Sequence, residues 1–395
     1  MASEVVTAER AIPLSIPSLQ GNEGKYLQEC LETSWVSSVG PFVDRFERDI
    51  AAYVGVAHAV AVVSGTAALH TALQVIGVQP DDEVLVSTLT FIAPVNAIHY
   101  CQAHPVFIDA DPLTWQFDVE KAARFLAQVC EVRQGVCYNK RTGRRVRAML
   151  PVHILGLACD MDRILALSHR YHLQVVEDAA EGMGVRYQGR HIGSFGDVGV
   201  LSFNGNKIIT SGGGGMVVTN SPTYAAAARY LTTQAKDEGI EYIHRAVGYN
   251  YRLTNLQAAV GVAQLEQLDA FVEKKRAIAR VYDDALSECA GLTRMPTTPR
   301  TEATYWLYTI LLKKGTTVPE RQAWIEQLAT RGISARPLWK PIHSLSPYRE
   351  CQSTDITAAV ELYERAVSLP SSVSLSDAEL QRCITVVQQL LSVDG

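Results

Sequence analysis

The sequence predicts an α/β protein: a large domain built on a mainly parallel sheet, then a smaller C-terminal α+β domain. Three observations carry this expectation. Short Val-, Ile- and Leu-rich runs alternate with helical patterns between residues 41 and 220, as in parallel sheets covered on both faces. A long proline-free stretch, 255–288, has one apolar face and suits a spine joining two domains. From about residue 290 the pattern changes to mixed helices and strands. The expected division is residues 1–270 and 271–395. A chain of 395 residues is long enough for both.

The elements follow in order. Residues 58–63 (HAVAVV) read as a buried strand and 66–76 as a helix. Residues 83–87 (EVLVS) form the next strand, 93–101 a helix, and 105–108 (PVFI) a strand. Strands at 147–152 and 173–177 (LQVVE) flank a helix at 161–172, and 198–203 (VGVLSF) and 216–219 (MVVT) complete the sheet. In the spine, Thr254 is a candidate cap, and Leu256, Val260, Ala263, Leu265 and Leu268 share a face. Beyond it come a strand at 305–312, a helix at 321–330, a strand at 333–337, and helical stretches at 356–367 and 376–392. The basic segment 135–147 (GVCYNKRTGRRVR) reads as a hairpin with its tip at 140–143. It is either a solvated surface hairpin or a contact for a nucleotide diphosphate.

Composition narrows the function. A net charge of −5, from 36 basic and 41 acidic side chains, argues against a nucleic-acid partner. The start, MASEVVTAERAIPLSIP, lacks the basic and continuous apolar segments of a signal peptide. No apolar run reaches the ~18 residues of a membrane span. The expectation is a cytoplasmic protein with no membrane partner. The 8 cysteines form no C-x-x-C pair, so they read as small buried hydrophobes rather than metal ligands. No metal site is expected. The dinucleotide, P-loop, zinc-protease and α/β-hydrolase motifs are all absent.

Three places carry chemistry. Ser64-Gly65-Thr66 stands where a strand ends and a helix begins. The free amides and positive dipole end of a helix start suit a phosphate, although a plain cap would look the same. Asp178 closes the strand VVED, at the edge where open α/β sheets bind ligands. A carboxylate there favours a protonated ring nitrogen, although Asp178 could also cap the next turn. Lys207 follows the strand ending in Ser202, ahead of four glycines at 212–215. Burial there lowers a lysine pKa and frees a nucleophilic amine, whereas an exposed loop lysine is the plain alternative.

The stretch 177–220 (EDAAEGMGVRYQGRHIGSFGDVGVLSFNGNKIITSGGGGMVVTN) closely resembles sugar-nucleotide aminotransferases of the DegT/DnrJ/StrS type. So do SGTAALHTAL, TLTFIAPVNAI and GYNYRLTNLQAAVGVAQLEQLD, which spread the resemblance along nearly the whole chain. It implies a fold-type-I enzyme that uses pyridoxal 5'-phosphate and takes glutamate and a sugar nucleotide as substrates. It implies that Lys207 bonds the cofactor and that Asp178 pairs with the pyridine nitrogen. It places Phe91 on the cofactor ring, with Gly65, Thr66 and Ser202 around the phosphate. Glu181 takes a position near the ring oxygen that often carries Gln or His. Asn250 corresponds to a residue reaching the phosphate from the other subunit of a homodimer with shared sites, and His343 to a pocket-side position. The basic hairpin before MLPVHILG looks like the branch that aminates UDP-4-keto-6-deoxy-N-acetylglucosamine, with GDP-perosamine synthase as a near relative. Related 3-dehydratases commonly carry His in the lysine position, which Lys207 argues against. A 3-keto-sugar aminotransferase and a cofactor-binding regulatory homologue without turnover are the remaining alternatives.

Overall fold

The structure is a computed structural model that describes residues 11–237, 239–298 and 300–393. Helices α1 (Glu23–Glu32) and α2 (Pro41–Val54) lead into β1 (His58–Val62), α3 (Gly65–Val75), β2 (Glu83–Ser87), α4 (Ala93–Tyr100) and β3 (His104–Ile108). Next come α5 (Val119–Val129), the hairpin of β4 (Cys130–Arg133) and β5 (Val136–Asn139), and β6 (Val146–Leu150). Then follow α6 (Met161–Tyr171), β7 (Gln174–Asp178), the short strands β8 (Arg186–Tyr187) and β9 (Arg190–His191), β10 (Val198–Ser202), β11 (Gly215–Thr219) and α7 (Pro222–Thr232).

Seven of these strands form one sheet in the order β1-β11-β10-β7-β6-β2-β3. Only β11 runs against its neighbours. It returns directly from β10 without a crossover helix, so its direction must reverse. Side chains alternate between two buried faces. Val60, Val86, Val176 and Val200 pack in one cluster, and Ala61, Leu85, Val175 and Leu201 in the other. Burial on both sides is why these strands read as unbroken apolar runs.

The spine is two helices, α8 (Asn255–Leu265) and α9 (Leu268–Ala285). Thr254 caps the first through a reciprocal box with Gln257. The start of α9 (Leu268, Phe271, Val272) packs in one cluster and its end (Ile278, Ala279, Tyr282) in the other. Beyond it lie β12 (Leu292–Thr293), β13 (Thr301–Glu302), β14 (Tyr308–Leu312), α10 (Val318–Thr330), β15 (Arg336–Pro337), α11 (Ala358–Arg365), β16 (Ala366–Leu369) and α12 (Asp377–Val393). A second, antiparallel sheet has the order β12-β14-β16-β15.

Three sequence expectations need correction here. The strand expected at 305–312 begins only at Tyr308, because Tyr305 is left-handed with φ 50°. The helix expected at 356–367 stops at Arg365, and Ala366–Leu369 pairs with β14 instead. Cross-strand pairing overrides local pattern there. The strand expected at 333–337 shrinks to Arg336–Pro337, while Ile333 bridges Ile12.

The turn at 140–143 does form, with Gly143 N–H on Asn139 O at 2.8 Å. Its neighbouring cations serve the fold. Arg145 binds Asp82 and Gly77 O, and Arg147 binds Ile76 O. At the outer edge of β3, Phe107 N–H donates to Gln352 O and accepts Thr354 N–H at its own carbonyl, both at 2.8 Å. Asp109, fully buried, accepts the amides of Thr357, Ala358 and Ala359 at the start of α11 and the amine of Lys121. All 8 cysteines are free, and 6 of them are buried. Among the described residues no helix is long and apolar enough to cross a membrane, and no residue group has metal-ligating geometry.

Candidate active site

β1, β2, β7 and β10 run in one direction, so their carboxyl ends share one edge of the sheet. Asp178 is the last residue of β7 and Ser202 the last of β10, and Ser64-Gly65 follows β1. At that edge the sheet brings together most of the residues singled out in the sequence.

Ser64 caps α3, its hydroxyl accepting Ala67 N–H at 3.1 Å. That leaves the amides of Gly65 and Thr66 without acceptors among the described residues. A Cβ on Gly65 would meet Ser202 Cβ at 3.0 Å and Oγ at 3.1 Å, so glycine lets the helix start abut the end of β10 without displacing Ser202. From the other side, a Cβ on Gly215 would sit 2.5 Å from Ser64 O. The glycine run thus serves close backbone approach here. The result is a cradle of two free amides, the positive end of α3 and the Ser202 hydroxyl, suited to a phosphate.

Asp178 is 3% exposed. Its Oδ1 accepts Ala180 N–H at 3.0 Å, while Oδ2 has no partner among the described residues. Burial raises its pKa, against the Ala180 amide and the nearby Lys207 and His153. A buried carboxylate with one oxygen unused fits a cationic ring nitrogen. Glu181 accepts Leu155 N–H at Oε2 (2.9 Å), and its Oε1 lies 3.6 Å from Lys207 Nζ. Burial pushes its pKa up to about 7, opposed by Lys207 and Leu155 and reinforced by Asp178. Lys207 lies on the loop between β10 and β11, with its amine on the face of Trp306, 4.1 Å from the ring centroid.

Three predicted residues stand further out. Phe91, between β2 and α4, is 55% exposed, an open ring at the rim. His343 shares its Nδ1 with Thr88 Oγ1 at 2.9 Å, just past β2, and burial lowers its pKa. Asn250 is exposed, its main chain bridged to Thr233. Among the described residues its side chain makes no hydrogen bond, and no hydrogen bond or ion pair joins it to Lys207 or Asp178.

Sequence reasoning missed a buried pair behind Asp178. Glu177 accepts the amides of Gly193, Phe195 and Gly196 and faces His153 Nε2 at 3.2 Å. His153 Nδ1 accepts Cys159 N–H, so the ring proton sits on Nε2 and is donated to Glu177. Burial alone would raise the Glu177 pKa, but His153 and the amides hold it below the usual carboxylate range. The signal available was a charged residue ahead of Asp178 in an otherwise apolar strand. Trp306 and Trp339, with parallel rings 6.5 Å apart, were also missed.

Residues 17–388 match the DegT/DnrJ/EryC1/StrS aminotransferase family. The chain belongs to this family. The aminotransferase is 39% identical over 381 residues to GDP-perosamine synthase of Caulobacter vibrioides, covering 96% of this chain and 98% of that one. It is 38% identical over 369 residues to GDP-perosamine synthase of Escherichia coli O157:H7, covering 93% and 95%. Its fold superimposes on the crystal structure of the aminotransferase TlmJ from Streptoalloteichus hindustanus with a TM-score of 0.87 and 28% identity, over 97% and 100% of the two chains. It is a pyridoxal-phosphate aminotransferase of the fold-type-I class, as the sequence resemblance implied.

Proposed function

We propose that this aminotransferase moves an amino group from glutamate to a 4-keto-6-deoxy sugar nucleotide, with Lys207 as the lysine that bonds the cofactor. The observation that carries the site assignment is the buried Asp178 carboxylate, whose unused Oδ2 stands at the end of β7 within the field of Lys207. When bound, pyridoxal phosphate supplies an electron sink for breaking the donor's Cα–H bond. Asp178 keeps the ring nitrogen protonated. The Gly65 and Thr66 amides and Ser202 Oγ hold the phosphate, and Phe91 covers the ring. Lys207 Nζ, held beside Glu181, would accept the proton released from the donor carbon. Glu181 holds that amine in place. His343 lines the substrate side, and Asn250 completes the phosphate site of a partner subunit in a homodimer. The division at 270/271 separates the cofactor-binding α/β part from a smaller C-terminal α+β part.

The nucleotide is the finer question. The hairpin wording suggested a UDP-linked N-acetyl sugar, but two similar curated relatives are named for a GDP-linked product. Arg145 and Arg147 are committed to Asp82 and to main-chain carbonyls, which leaves only the exposed Lys140 and Arg141 at the tip for a nucleotide contact. These observations favour the GDP-linked 4-keto-6-deoxy sugar. The test is competition among GDP-, UDP- and dTDP-linked 4-keto-6-deoxy sugars with glutamate as donor, with products read by mass spectrometry and NMR. Preference for GDP supports the reading, and preference for the UDP-linked N-acetyl sugar reverses the nucleotide assignment. Activity on simple 2-oxo acids alone would remove the sugar substrate.

A further inference from the structure

One side chain from outside the large sheet holds both Lys207 and the loop that carries it. The Trp306 ring lies against the Lys207 amine, and its indole N–H donates to Asn206 O at 2.7 Å. Trp306 is 3% exposed. Its own main chain is fixed in turn. Lys275, in the middle of α9 and also 3% exposed, donates to Trp306 O at 2.8 Å and to Ser371 O at 2.7 Å. Among the described residues both Lys275 hydrogen bonds go to carbonyls, and no carboxylate pairs with it. Burial pushes its pKa down to about 7, and even a neutral amine keeps two hydrogens for these two carbonyls.

On the opposite side Gly156 packs directly on the same segment. A Cβ there would lie 2.6 Å from Trp306 N and 2.8 Å from Tyr305 N. Leu155, its chain neighbour, donates to Glu181, which faces Lys207. The contacts close a ring: Lys207 to Glu181, to Leu155 and Gly156, to Trp306, and back to Lys207. Burying a lysine without a counter-ion is costly, so its retention at this point calls for a structural return.

We propose that Trp306 is a positioning residue for the Lys207 amine, and that Lys275 is the anchor that keeps Trp306 in place. This rests on Lys207 being the amine that bonds the cofactor. The ring face attracts the amine in its cationic form and narrows its range. The indole bond to Asn206 fixes the residue from which the lysine side chain starts. The rate and pH dependence of the Lys207 reaction with a carbonyl compound therefore depend on Trp306. Lys275 acts in the same direction through the Trp306 carbonyl.

The experiment mixes cofactor-free protein with pyridoxal phosphate across a pH series. Bond formation is followed by absorbance, borohydride trapping and peptide mass locate the bond, and circular dichroism reports folding. Trp306→Leu is expected to lower the pH midpoint of bond formation, because the contact it removes favours the cationic, unreactive amine, and to slow bond formation above that midpoint about 10-fold or more, because the free amine loses its placement. Trp306→Phe keeps a ring and loses the indole donor, so its loss is smaller but measurable; it carries the test if the Leu variant does not fold. Lys275→Met is expected to follow Trp306→Leu with a smaller loss. Wild-type rate and pH midpoint in the folded Trp306 variants, with the label on Lys207, would overturn the positioning role and leave the Lys207 assignment intact. A wild-type label on another lysine would overturn the Lys207 assignment itself. A slow Trp306→Leu beside an unchanged Lys275→Met would remove the anchor.

Discussion

Replacing Glu181 by Gln is expected to flatten the pH dependence of stability in the cofactor-free protein. Glu181 is 7% exposed, and burial lifts its pKa to about 7 against an ordinary 4.5. That displacement corresponds to about 3 kcal/mol. The folded protein keeps a proton on Glu181 that the unfolded chain has already released between these two values. The stability from this group is therefore complete below the unfolded value and is lost as pH rises through about 7. Gln keeps an acceptor for Leu155 N–H and has no proton to lose. Between pH ~4.5 and ~8, Glu181→Gln is expected to gain on wild type by up to about 3 kcal/mol. Urea unfolding of both proteins across this range measures the gain. Infrared difference spectra check its cause: a protonated-carboxyl band present at pH 6, gone at pH 8 and missing from the variant. Parallel stability profiles, with no such band, would refute the reasoning.

Asp178→Asn keeps the shape and loses the charge, and is expected to cut the turnover rate on the order of 100-fold or more in a folded protein; steady-state kinetics at saturating substrates measure it. Mixed dimers of Lys207→Ala and Asn250→Ala chains are expected to recover activity that neither variant has alone, because one site then receives an intact copy of each residue. A verified mixed dimer without recovery would count against the shared-site assignment of Asn250. Asp109→Ala removes the acceptor for three amides of α11 and for Lys121, and is expected to cost about 3–5 kcal/mol. Urea unfolding measures that loss, and limited proteolysis at 350–357 shows whether the segment detaches.

The large sheet was legible because each strand is buried on both faces and shows its length as an apolar run. Asp178, Ser202 and Lys207 could be found because they punctuate those runs. The glycines at 212–215 meet two needs: Gly212 and Gly214 take positive φ (78° and 140°), and Gly215 leaves room for Ser64. The partners of Lys207 were harder to see. Trp306 sits in an apolar run that looks like strand, and only the left-handed Tyr305 takes it out of register. Lys275 lies in EKKRA, where a helical lysine looks solvated, yet it is 3% exposed and donates to the carbonyls of Trp306 and Ser371. Ala366 and Val367 read as the tail of a helix because the strand identity of Ala366–Leu369 comes from β14, a partner distant in sequence.

The placement of β1 sets an order on how the chain assembles. This edge strand pairs with β11, from His58↔Thr219 to Val62↔Gly215. A ribosome emits β1 early and must complete β2, β3, β6, β7 and β10 before the residues that cover its hydrogen-bonding edge exist. During that interval HAVAV is an apolar strand with an open side, the kind of segment that nascent chains lose to aggregation. Closing a loop of that length is also slow relative to local helix formation. The parallel core from β2 to β10 can form without β1, whereas the cradle at Gly65 cannot, since it needs β1 docked on β11. The cradle at Gly65 is thus expected among the last parts of the large sheet to take shape, and a ligand proposed to bind there would also report that the sheet has closed.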